Sequence, residues 1–141
     1  MSRRVIVTAE RSGLLQNITI GPHQLRADEL IAFGGADAGP DPYELLLAAL
    51  GACTGMTVRM YAERKKWPLE GVQVQLAHSK IHAEDCANCE TQARSLDRID
   101  IEISFAGKLS ADQVQRLREI ADRCPVHRTL SSQVQIYTSV V

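Results

Sequence analysis

The sequence predicts an α+β fold whose sheets are largely antiparallel. Stretches with strand periodicity come in groups of three, two and one, and helical patterns separate these groups. Consecutive strands without a helix between them pair in antiparallel fashion, because a short turn is enough to connect them. A chain of 141 residues fits one domain, 1–141, with a core of its own.

The N-terminal segment is predicted to form a small sheet. Residues 5–8 and 17–20 are short β-prone runs, and Ser12-Gly13 between them is typical of a turn. A third short strand is expected to follow. The stretch 34–40 is rich in glycine and ends in proline, and it is predicted to be a loop within the domain.

A long helix is predicted from Pro42 to about Lys66. Asp41 precedes it as a capping residue, Pro42 suits the first helical position, and Glu44 completes a capping box. The first half of this helix has almost no polar face, so we expect it to be buried nearly all round. One small sheet can hardly cover such a helix, and a second subunit is therefore expected.

Two strands and a helix are predicted next. Residues 72–76 and 99–105 alternate apolar and polar side chains, which is typical of half-buried strands. A helix begins after Ser110, and Gln113 lies where it completes a second capping box. The apolar residues of this helix share one face, which we expect to point at the core.

The sequence around Cys124 predicts a break in that helix. Cys124 precedes Pro125, and a residue before proline is driven out of the α region by contact with the proline ring. Pro125 then opens a short helix, 126–131. Alternation in 134–140 predicts a final strand.

Composition excludes several classes of function. The formal net charge is -1 and aromatic residues make up 4% of the chain, which argues against binding nucleic acid through a basic surface or a stacking platform. The most apolar run, 45–52, is far shorter than the roughly 20 residues that span a bilayer. Arg3-Arg4 is followed by too short an apolar stretch for a secretory signal. We therefore expect a cytoplasmic protein that binds neither nucleic acid nor membrane.

The four cysteines indicate chemistry, metal binding or simple burial, because structural disulfides are rare in a reducing compartment. Cys53 lies on the apolar helix and is also typical of a small buried hydrophobe. Cys124 lies near the start of a helix, where free backbone N–H groups stabilise a thiolate. Peroxide reduction needs two such sulfurs: one thiolate attacks and becomes a sulfenic acid, and the other condenses with it to a disulfide.

Two motifs resemble the OsmC/Ohr family of osmotically induced and organic hydroperoxide resistance proteins. The first, GPDPYELLLAALGACT, spans 39–54, and the second, CPVHRTL, spans 124–130. The resemblance extends over nearly the whole chain. It implies an OsmC-like intertwined homodimer, in which antiparallel sheets wrap long central helices and the active sites lie at the subunit interface.

The same resemblance implies roles for the two cysteines. Cys53 would be the thiol that attacks the peroxide, and Cys124 would be the resolving thiol. A dithiol or a lipoyl-bearing reductant would close the cycle, and no cofactor is required.

The chain departs from the Ohr pattern at Tyr43. In Ohr-type members a glutamate ten residues before the first cysteine pairs with an arginine from an N-terminal loop and activates the thiolate, and here that position is Tyr43. Glu44 lies about 180° around a regular helix from Cys53 and is interpreted as a cap. Arg11 is the nearest counterpart of the arginine, and Arg128 in the second motif is the local alternative.

A second candidate site comprises His78, His82, Cys86 and Cys89, a segment that resembles one branch of the family. Two histidines and a Cys-x-x-Cys pair offer the ligands of a tetrahedral zinc site. If 78–82 continues the strand, the two histidine Cα atoms are about 13 Å apart, so a shared metal needs a local turn. A Cys86–Cys89 disulfide and a hydrophilic hairpin without any site are the alternatives.

The leading hypothesis is a homodimeric thiol peroxidase that reduces organic hydroperoxides at Cys53 and Cys124. An apolar pocket along the long helix would favour alkyl or aryl substrates. A redox-sensing or binding module with poor turnover is the first alternative, and Tyr43 favours it. The second alternative is a zinc-binding protein whose core cysteines are inert.

Overall fold

The computed structural model of the chain describes residues 3–82 and 95–141. The chain divides into two units, Met1–Ala48 and Ala49–Val141, which are described in turn. Each unit contains an antiparallel sheet, and a long helix separates the two sheets along the chain. The predicted α+β class with antiparallel sheets is therefore confirmed.

The first unit contains a three-stranded sheet. Strands β1 (Val5–Ala9), β2 (Gln16–Ile20) and β3 (His23–Ala27) are antiparallel in the order β1-β2-β3. Ile18 and Ala27 are buried, whereas all five residues of β1 are exposed. The predicted hairpin and the third short strand are confirmed.

The buried carboxylate of Asp28 holds the loop that follows this sheet. It accepts hydrogen bonds from the backbone N–H groups of Glu29 at 2.8 Å, Ala36 at 3.1 Å and Ala38 at 3.1 Å. These bonds lower the pKa of Asp28, and the bond from Ala38 lowers it most, although desolvation acts in the opposite direction. The carboxylate thus fixes the predicted loop directly before the long helix begins.

Helix α1 (Pro42–Lys65) has the predicted start and end. The N–H of Glu44 donates to Asp41 Oδ1 at 2.8 Å, and the N–H of Asp41 donates to Glu44 Oε1 at 3.1 Å. This reciprocal pair confirms Glu44 as a helix cap. The helix ends before Lys66, whose φ of 58° lies in the left-handed region that stops a helix.

Helix α1 buries one face. The buried residues recur every three or four positions, as in a single helical stripe: Leu50, Thr54, Val58, Tyr61 and Ala62. Met56 and Met60 are 65% and 69% exposed. The described elements of the single chain therefore cover only one side of the helix, and burial of the other side by a second subunit stays a prediction.

Helix α1 is also long and apolar enough, by length and composition, to cross a membrane. The core helix of a soluble protein passes the same test. The stripe that ends in Val58, Tyr61 and Ala62 belongs to such a core. This one helix is therefore weak support for a membrane span.

The second unit contains a long hairpin. Strands β4 (Gly71–His82) and β5 (Ser95–Ala106) pair in antiparallel register, from Gly71 opposite Ala106 to His82 opposite Ser95. Both strands are longer than the predicted 72–76 and 99–105. The period-two burial pattern continues into residues that are more polar, so hydrophobic alternation alone underestimates their length.

Helices α1 and α2 (Ala111–Ala121) share a core with this hairpin. Ser110 and Gln113 form the predicted capping box at the start of α2. Partly buried side chains of both strands pack against a buried cluster from the two helices and their connections: Val58, Tyr61, Ala62, Leu69, Leu117, Ile120 and Ala121. This cluster fixes α2 beside the second half of α1.

Gly51 allows α1 to lie close to β4. A Cβ atom at this position would lie 2.7 Å from Cδ1 of Leu76, which is closer than van der Waals contact permits. The end of the Leu76 side chain therefore occupies the space that a side chain at position 51 would fill, two residues before Cys53.

Helix α3 (Pro125–Leu130) begins after the predicted break at Cys124. The predicted final strand, 134–140, is wrong for the single chain, since residues 133–141 form neither helix nor strand and are exposed. Alternating apolar and polar residues favour a strand, but the strand forms only where a neighbouring strand supplies backbone hydrogen bonds. Within the described ranges no strand pairs with this segment.

Replacement of Leu117, which has no exposed surface, by alanine should lower the free energy of unfolding. A loss of about 3 kcal/mol is expected, because Leu→Ala removes buried contacts and leaves a cavity. Val114→Ala on the same helix, at a position 39% exposed, should cost less than about 1 kcal/mol. Urea unfolding followed by circular dichroism measures both variants, and equal losses would contradict this core.

Candidate active site

Cys53 and Cys124 meet in the second unit. Cys53 lies in the middle of α1, and Cys124 lies at the junction of α2 and α3. Both are free thiols, and their side chains are hydrogen-bonded to each other. The fold thus brings together the two sulfur atoms that the sequence motifs single out.

The break between α2 and α3 places Cys124. Its φ of -59° and ψ of 135° lie outside the helical region because Pro125 follows. The side chain has no exposed surface, like that of Leu117 on the preceding helix. Its Sγ accepts a hydrogen bond from the backbone N–H of His127 at 3.3 Å. The sulfur is therefore held from two directions, by the core and by the start of α3.

Cys53 differs from Cys124 in exposure and in its partners. Its side chain is only partly buried. The backbone N–H of Val126 and the hydroxyl of Thr57 hydrogen-bond to its sulfur. A peroxide therefore has easier access to Cys53 than to Cys124.

The surroundings of Cys124 stabilise its thiolate. Burial is the largest single effect and by itself raises the pKa. The hydrogen bonds outweigh it, led by that of the Cys53 thiol and followed by the His127 N–H, the Thr54 hydroxyl and the Val126 N–H. The pKa of Cys124 is therefore lowered from its ordinary value.

The pKa of Cys53 moves in the opposite direction. Burial raises it most, and the hydrogen bond to Cys124 together with the negative charge of that thiolate raises it further. The Val126 N–H and the Thr57 hydroxyl oppose this change without reversing it. The surroundings of the two sulfurs therefore favour the first negative charge of the pair on Cys124 rather than on Cys53.

An open cavity of about 670 Å³ lies against neighbours of the two cysteines, although neither Cys53 nor Cys124 lines it. Its wall includes Thr57, which hydrogen-bonds Cys53, and Pro125, which follows Cys124. The remaining lining residues come from α1 and from the region of α2 and its end: Met60, Tyr61, Glu63, Arg64, Ile120 and Arg123. The cavity therefore offers apolar surface and charged side chains within reach of one site.

Tyr61 connects the cavity wall to a group of cations. Arg116 Nε donates to the Tyr61 hydroxyl at 3.1 Å, and the Arg64 and Lys65 charges lie 5.3 and 5.8 Å from the ring centre. The Arg116 hydrogen bond, helped by these charges, lowers the pKa of Tyr61 although burial opposes it. The sequence gives no sign of this group, because Arg116 lies on α2 and the other members lie on α1. The periodicity of each helix does not show which residues of the two helices meet.

Two hydroxyl groups of the site, Thr54 and Thr57, also escape notice in the sequence. Thr54 hydrogen-bonds the sulfur of Cys124, and Thr57 hydrogen-bonds that of Cys53. Spacing is an available signal for Thr57 alone, since a residue four positions after Cys53 lies beside it on a helix. Thr54 carries no such signal.

Arg11 and Arg128, which the sequence proposes as support for a thiolate, are both exposed. Arg128 lies in α3 and is not among the groups that shift the pKa of either cysteine. Arg11 lies between β1 and β2 in the first unit, and Tyr43, 51% exposed, lies in the first turn of α1. Within the described part of the second unit, hydrogen bonds rather than a cation stabilise the thiolate.

The candidate metal ligands are only partly described. His78 and His82 both lie on β4, so the strand continues through 78–82. Cys86 and Cys89 lie outside the described residues. Nε2 of His78 lies 2.8 Å from Oδ1 of Asp97. Residues 3–82 and 95–141 contain no cluster of three or more side chains suited to hold a metal ion.

The shared proton predicts a titration of the thiol pair in two steps. The first step should fall below the ordinary cysteine pKa and the second above it. In Cys124→Ala the pKa of Cys53 should be lower than that of the second step in the intact pair. The hydrogen bond and the negative charge of Cys124, which raise this pKa, are then absent. In Cys53→Ala the pKa of Cys124 should rise, because a hydrogen-bond donor is lost.

Ultraviolet absorbance of the thiolate measures these titrations. The intact pair and the two alanine variants are compared in a background in which Cys86 and Cys89 are replaced by serine, so that the variants serve as matched single-thiol controls. Coincident titration of both thiols at their ordinary pKa in the intact protein would contradict the contact between them.

Comparison with known proteins places the chain in a family. The family model described as OsmC-like protein matches residues 34–139. A comparison with curated proteins found no match.

Solved structures share this fold at low sequence identity. An OsmC like protein from Mycoplasma pneumoniae is 17% identical, with a TM-score of 0.72 over 93% of this chain and 88% of that one. An organic hydroperoxide resistance protein OsmC from Legionella pneumophila is 16% identical, with a TM-score of 0.67 over 92% and 89%. One from Elizabethkingia anophelis is 15% identical, with a TM-score of 0.68 over 92% and 87%. Since the family model also covers most of its length, the chain belongs to the OsmC-like protein family.

Proposed function

We propose that this chain is a thiol peroxidase that reduces organic hydroperoxides through Cys53 and Cys124. The observation that carries the proposal is the hydrogen-bonded contact of two free thiols beside an open cavity. Thiols in contact can form a disulfide with little movement of the backbone. Fold relatives that are named organic hydroperoxide resistance proteins support the same chemistry.

In the first step, the Cys53 sulfur attacks the terminal oxygen of the hydroperoxide. An S–O bond forms while the O–O bond breaks, so that the sulfur is oxidised to a sulfenic acid and the hydroperoxide is reduced to an alkoxide. The alkoxide takes up a proton and leaves as the alcohol. Cys53 is the attacking sulfur in this proposal because it is partly exposed, whereas Cys124 is fully buried.

Attack requires Cys53 to give up its proton first. The Cys124 thiolate can accept this proton, since the Cys53 thiol already donates a hydrogen bond to it. The resulting Cys124 thiol then protonates the departing alkoxide and becomes a thiolate again. In this mechanism Cys124 activates Cys53, which is the role of a glutamate in Ohr-type members at the position that is Tyr43 here.

In the second step, the Cys124 thiolate attacks the sulfenic sulfur of Cys53. The S–S bond forms, the S–O bond breaks, and hydroxide leaves and takes up a proton to give water. The lowered pKa of Cys124 suits this step, because the thiolate is present when the sulfenic acid forms. A dithiol or a lipoyl-bearing reductant, itself oxidised to a disulfide, then restores both thiols.

The cavity supports an alkyl or aryl hydroperoxide as the substrate. Met60, Ile120 and Pro125 provide apolar surface, and its volume of about 670 Å³ is typical of sites for small organic ligands. Hydrogen peroxide gains little from such surface. Organic hydroperoxides should therefore be preferred over hydrogen peroxide.

We also propose that the active form is a homodimer. Apolar side chains are exposed on three segments of the single chain: Val5, Ile6 and Val7 of β1, Met56 and Met60 of α1, and Ile136, Tyr137 and Val140 near the C-terminus. Large exposed apolar surface is typical of protein interfaces. The strand periodicity of 134–140, which lacks a pairing neighbour in the described chain, favours pairing with a second copy.

A redox-sensing module is the second candidate function. The raised pKa of Cys53 favours it, because a thiol that holds its proton attacks peroxide slowly. Disulfide formation would then change an interaction with a partner rather than sustain turnover.

The segment that contains Cys86 and Cys89 is a separate part of the proposal. Membership of the family branch with His78, His82 and these two cysteines is inferred from the sequence. Zinc binding by the segment and a cytoplasmic location stay predictions.

Cumene hydroperoxide and a dithiol reductant should give sustained turnover with the wild-type protein. Cys53→Ser should abolish it, because the attacking sulfur is gone. Cys124→Ser should slow the first reduction and also abolish turnover, while its sulfenic acid becomes trappable by dimedone. Stopped-flow kinetics measure the first step, and a steady-state assay measures turnover.

The same measurements separate the two candidate functions. A reaction no faster than that of free cysteine would overturn the peroxidase. Disulfide formation by one equivalent of peroxide, followed by poor turnover, would favour the sensor.

The homodimer predicts a specific effect of charge in the C-terminal segment. Ile136→Lys should weaken the dimer at least tenfold, because it places a charge on apolar surface that a second copy would cover. Gln135→Lys, on the neighbouring polar position, should leave the dimer intact. Sedimentation velocity measures both variants, and a wild-type protein that is monomeric at micromolar concentration would contradict the proposal.

A further inference from the structure

We propose that Thr54 and Thr57 are catalytic hydrogen-bond donors with divided tasks, Thr54 serving the Cys124 thiolate and Thr57 serving the Cys53 thiolate. The reaction they would serve is the proposed peroxidase cycle, so this inference rests on that function. Its test reads the thiols directly and does not depend on turnover.

The geometry of α1 places one hydroxyl at each sulfur. Thr57 follows Cys53 by one helical turn, and Thr54 is 1% exposed beside the fully buried Cys124. The Thr57 hydroxyl is within reach of the Cys53 sulfur and acts to lower the pKa of that thiol, and the Thr54 hydroxyl does the same at Cys124. Each thiol therefore has its own hydroxyl partner.

Each hydroxyl also has a second acceptor. Thr54 Oγ1 lies 2.8 Å from the carbonyl oxygen of Leu50, and Thr57 Oγ1 lies 2.8 Å from that of Cys53. A hydroxyl group carries one proton, so it donates either to the carbonyl or to the sulfur at any moment. The two threonines are thus donors with a choice of acceptor.

The charge on sulfur decides that choice. A neutral thiol is a weak acceptor, so the hydroxyl proton favours the carbonyl oxygen. A thiolate is a far stronger acceptor, because hydrogen bonds to ions are stronger than those to neutral groups. Rotation of the O–H bond alone redirects the proton when the thiol ionises.

This redirection leaves no buried carbonyl without a partner. The Leu50 and Cys53 carbonyls lie inside α1, where each accepts the backbone N–H of the residue four positions later. When the threonine hydroxyl turns away, the carbonyl oxygen of Leu50 or Cys53 therefore keeps its backbone hydrogen bond. The hydroxyl can stabilise a transient negative charge at little structural cost.

The two steps of the cycle need charge on different sulfurs. Attack on the peroxide needs a thiolate at Cys53, which is the partner of Thr57. Formation of the disulfide needs a thiolate at Cys124, which is the partner of Thr54. Loss of the Thr57 hydroxyl should therefore slow the first step, and loss of the Thr54 hydroxyl should slow the second.

The test is a crossed design in single-thiol proteins, for which Cys86 and Cys89 are first replaced by serine because the chain has four cysteines. Thr54→Val and Thr57→Val, which remove the hydroxyl and keep the side-chain shape, are each placed in Cys53→Ala and in Cys124→Ala. Thiolate absorbance against pH then reports on one sulfur at a time. Thr54→Val should reduce the thiolate fraction of Cys124 about tenfold at a fixed pH below its titration midpoint, and Thr57→Val should leave it unchanged.

For Cys53 the pattern should be reversed. Thr57→Val should reduce its thiolate fraction, and Thr54→Val should not. Equal effects of both variants on one sulfur, or no effect of either, would overturn the division of tasks.

Serine and alanine variants keep the test decisive if a valine variant does not fold. Thr54→Ser and Thr54→Ala both lose the methyl group and differ only in the hydroxyl oxygen, and the same pair applies at Thr57. Serine should retain the thiolate fraction of wild type, and alanine should lose it. Equal behaviour of serine and alanine would show a packing role and overturn the inference.

The outcomes distinguish this inference from the proposed function. An active peroxidase without the crossed pattern overturns the inference about the threonines alone. The crossed pattern in a protein without turnover overturns the peroxidase and leaves the two hydroxyl donors established.

Discussion

The hydrogen bond between the Cys53 and Cys124 thiols connects the fold to the chemistry. It exists because α1 carries Cys53 into the second unit while the break before Pro125 turns Cys124 out of α2. The core cluster around Leu117 fixes these two helices relative to each other. A change that separates α1 from α2 would therefore remove the site without altering either cysteine.

The two sulfurs are alike in chemistry and unlike in surroundings. Cys124 is fully buried and accepts several hydrogen bonds, which lower its pKa, whereas Cys53 is partly exposed and its pKa is raised. Burial alone would raise the pKa of both thiols. The difference arises from donors, and most directly from the proton of Cys53 itself. In the proposed mechanism, Cys124 is the base and Cys53 is the nucleophile, and no carboxylate is required.

Much of this structure follows from local sequence signals. The Asp41–Glu44 and Ser110–Gln113 caps and the break before Pro125 each depend on neighbouring residues, and each forms as predicted. The final strand at 134–140 does not form in the single chain, because pairing requires a neighbour that local alternation cannot specify. The cavity and the partner of the Cys124 sulfur depend on contacts between helices, so Thr54 and Tyr61 carry no recognisable signal in the sequence.

The most direct test of the paired sulfurs is mass spectrometry of the intact protein after one equivalent of cumene hydroperoxide. The protein should lose the mass of two hydrogen atoms, and a peptide map should show Cys53 joined to Cys124. A stable sulfenic acid at Cys53, or a disulfide that excludes Cys124, would contradict the account.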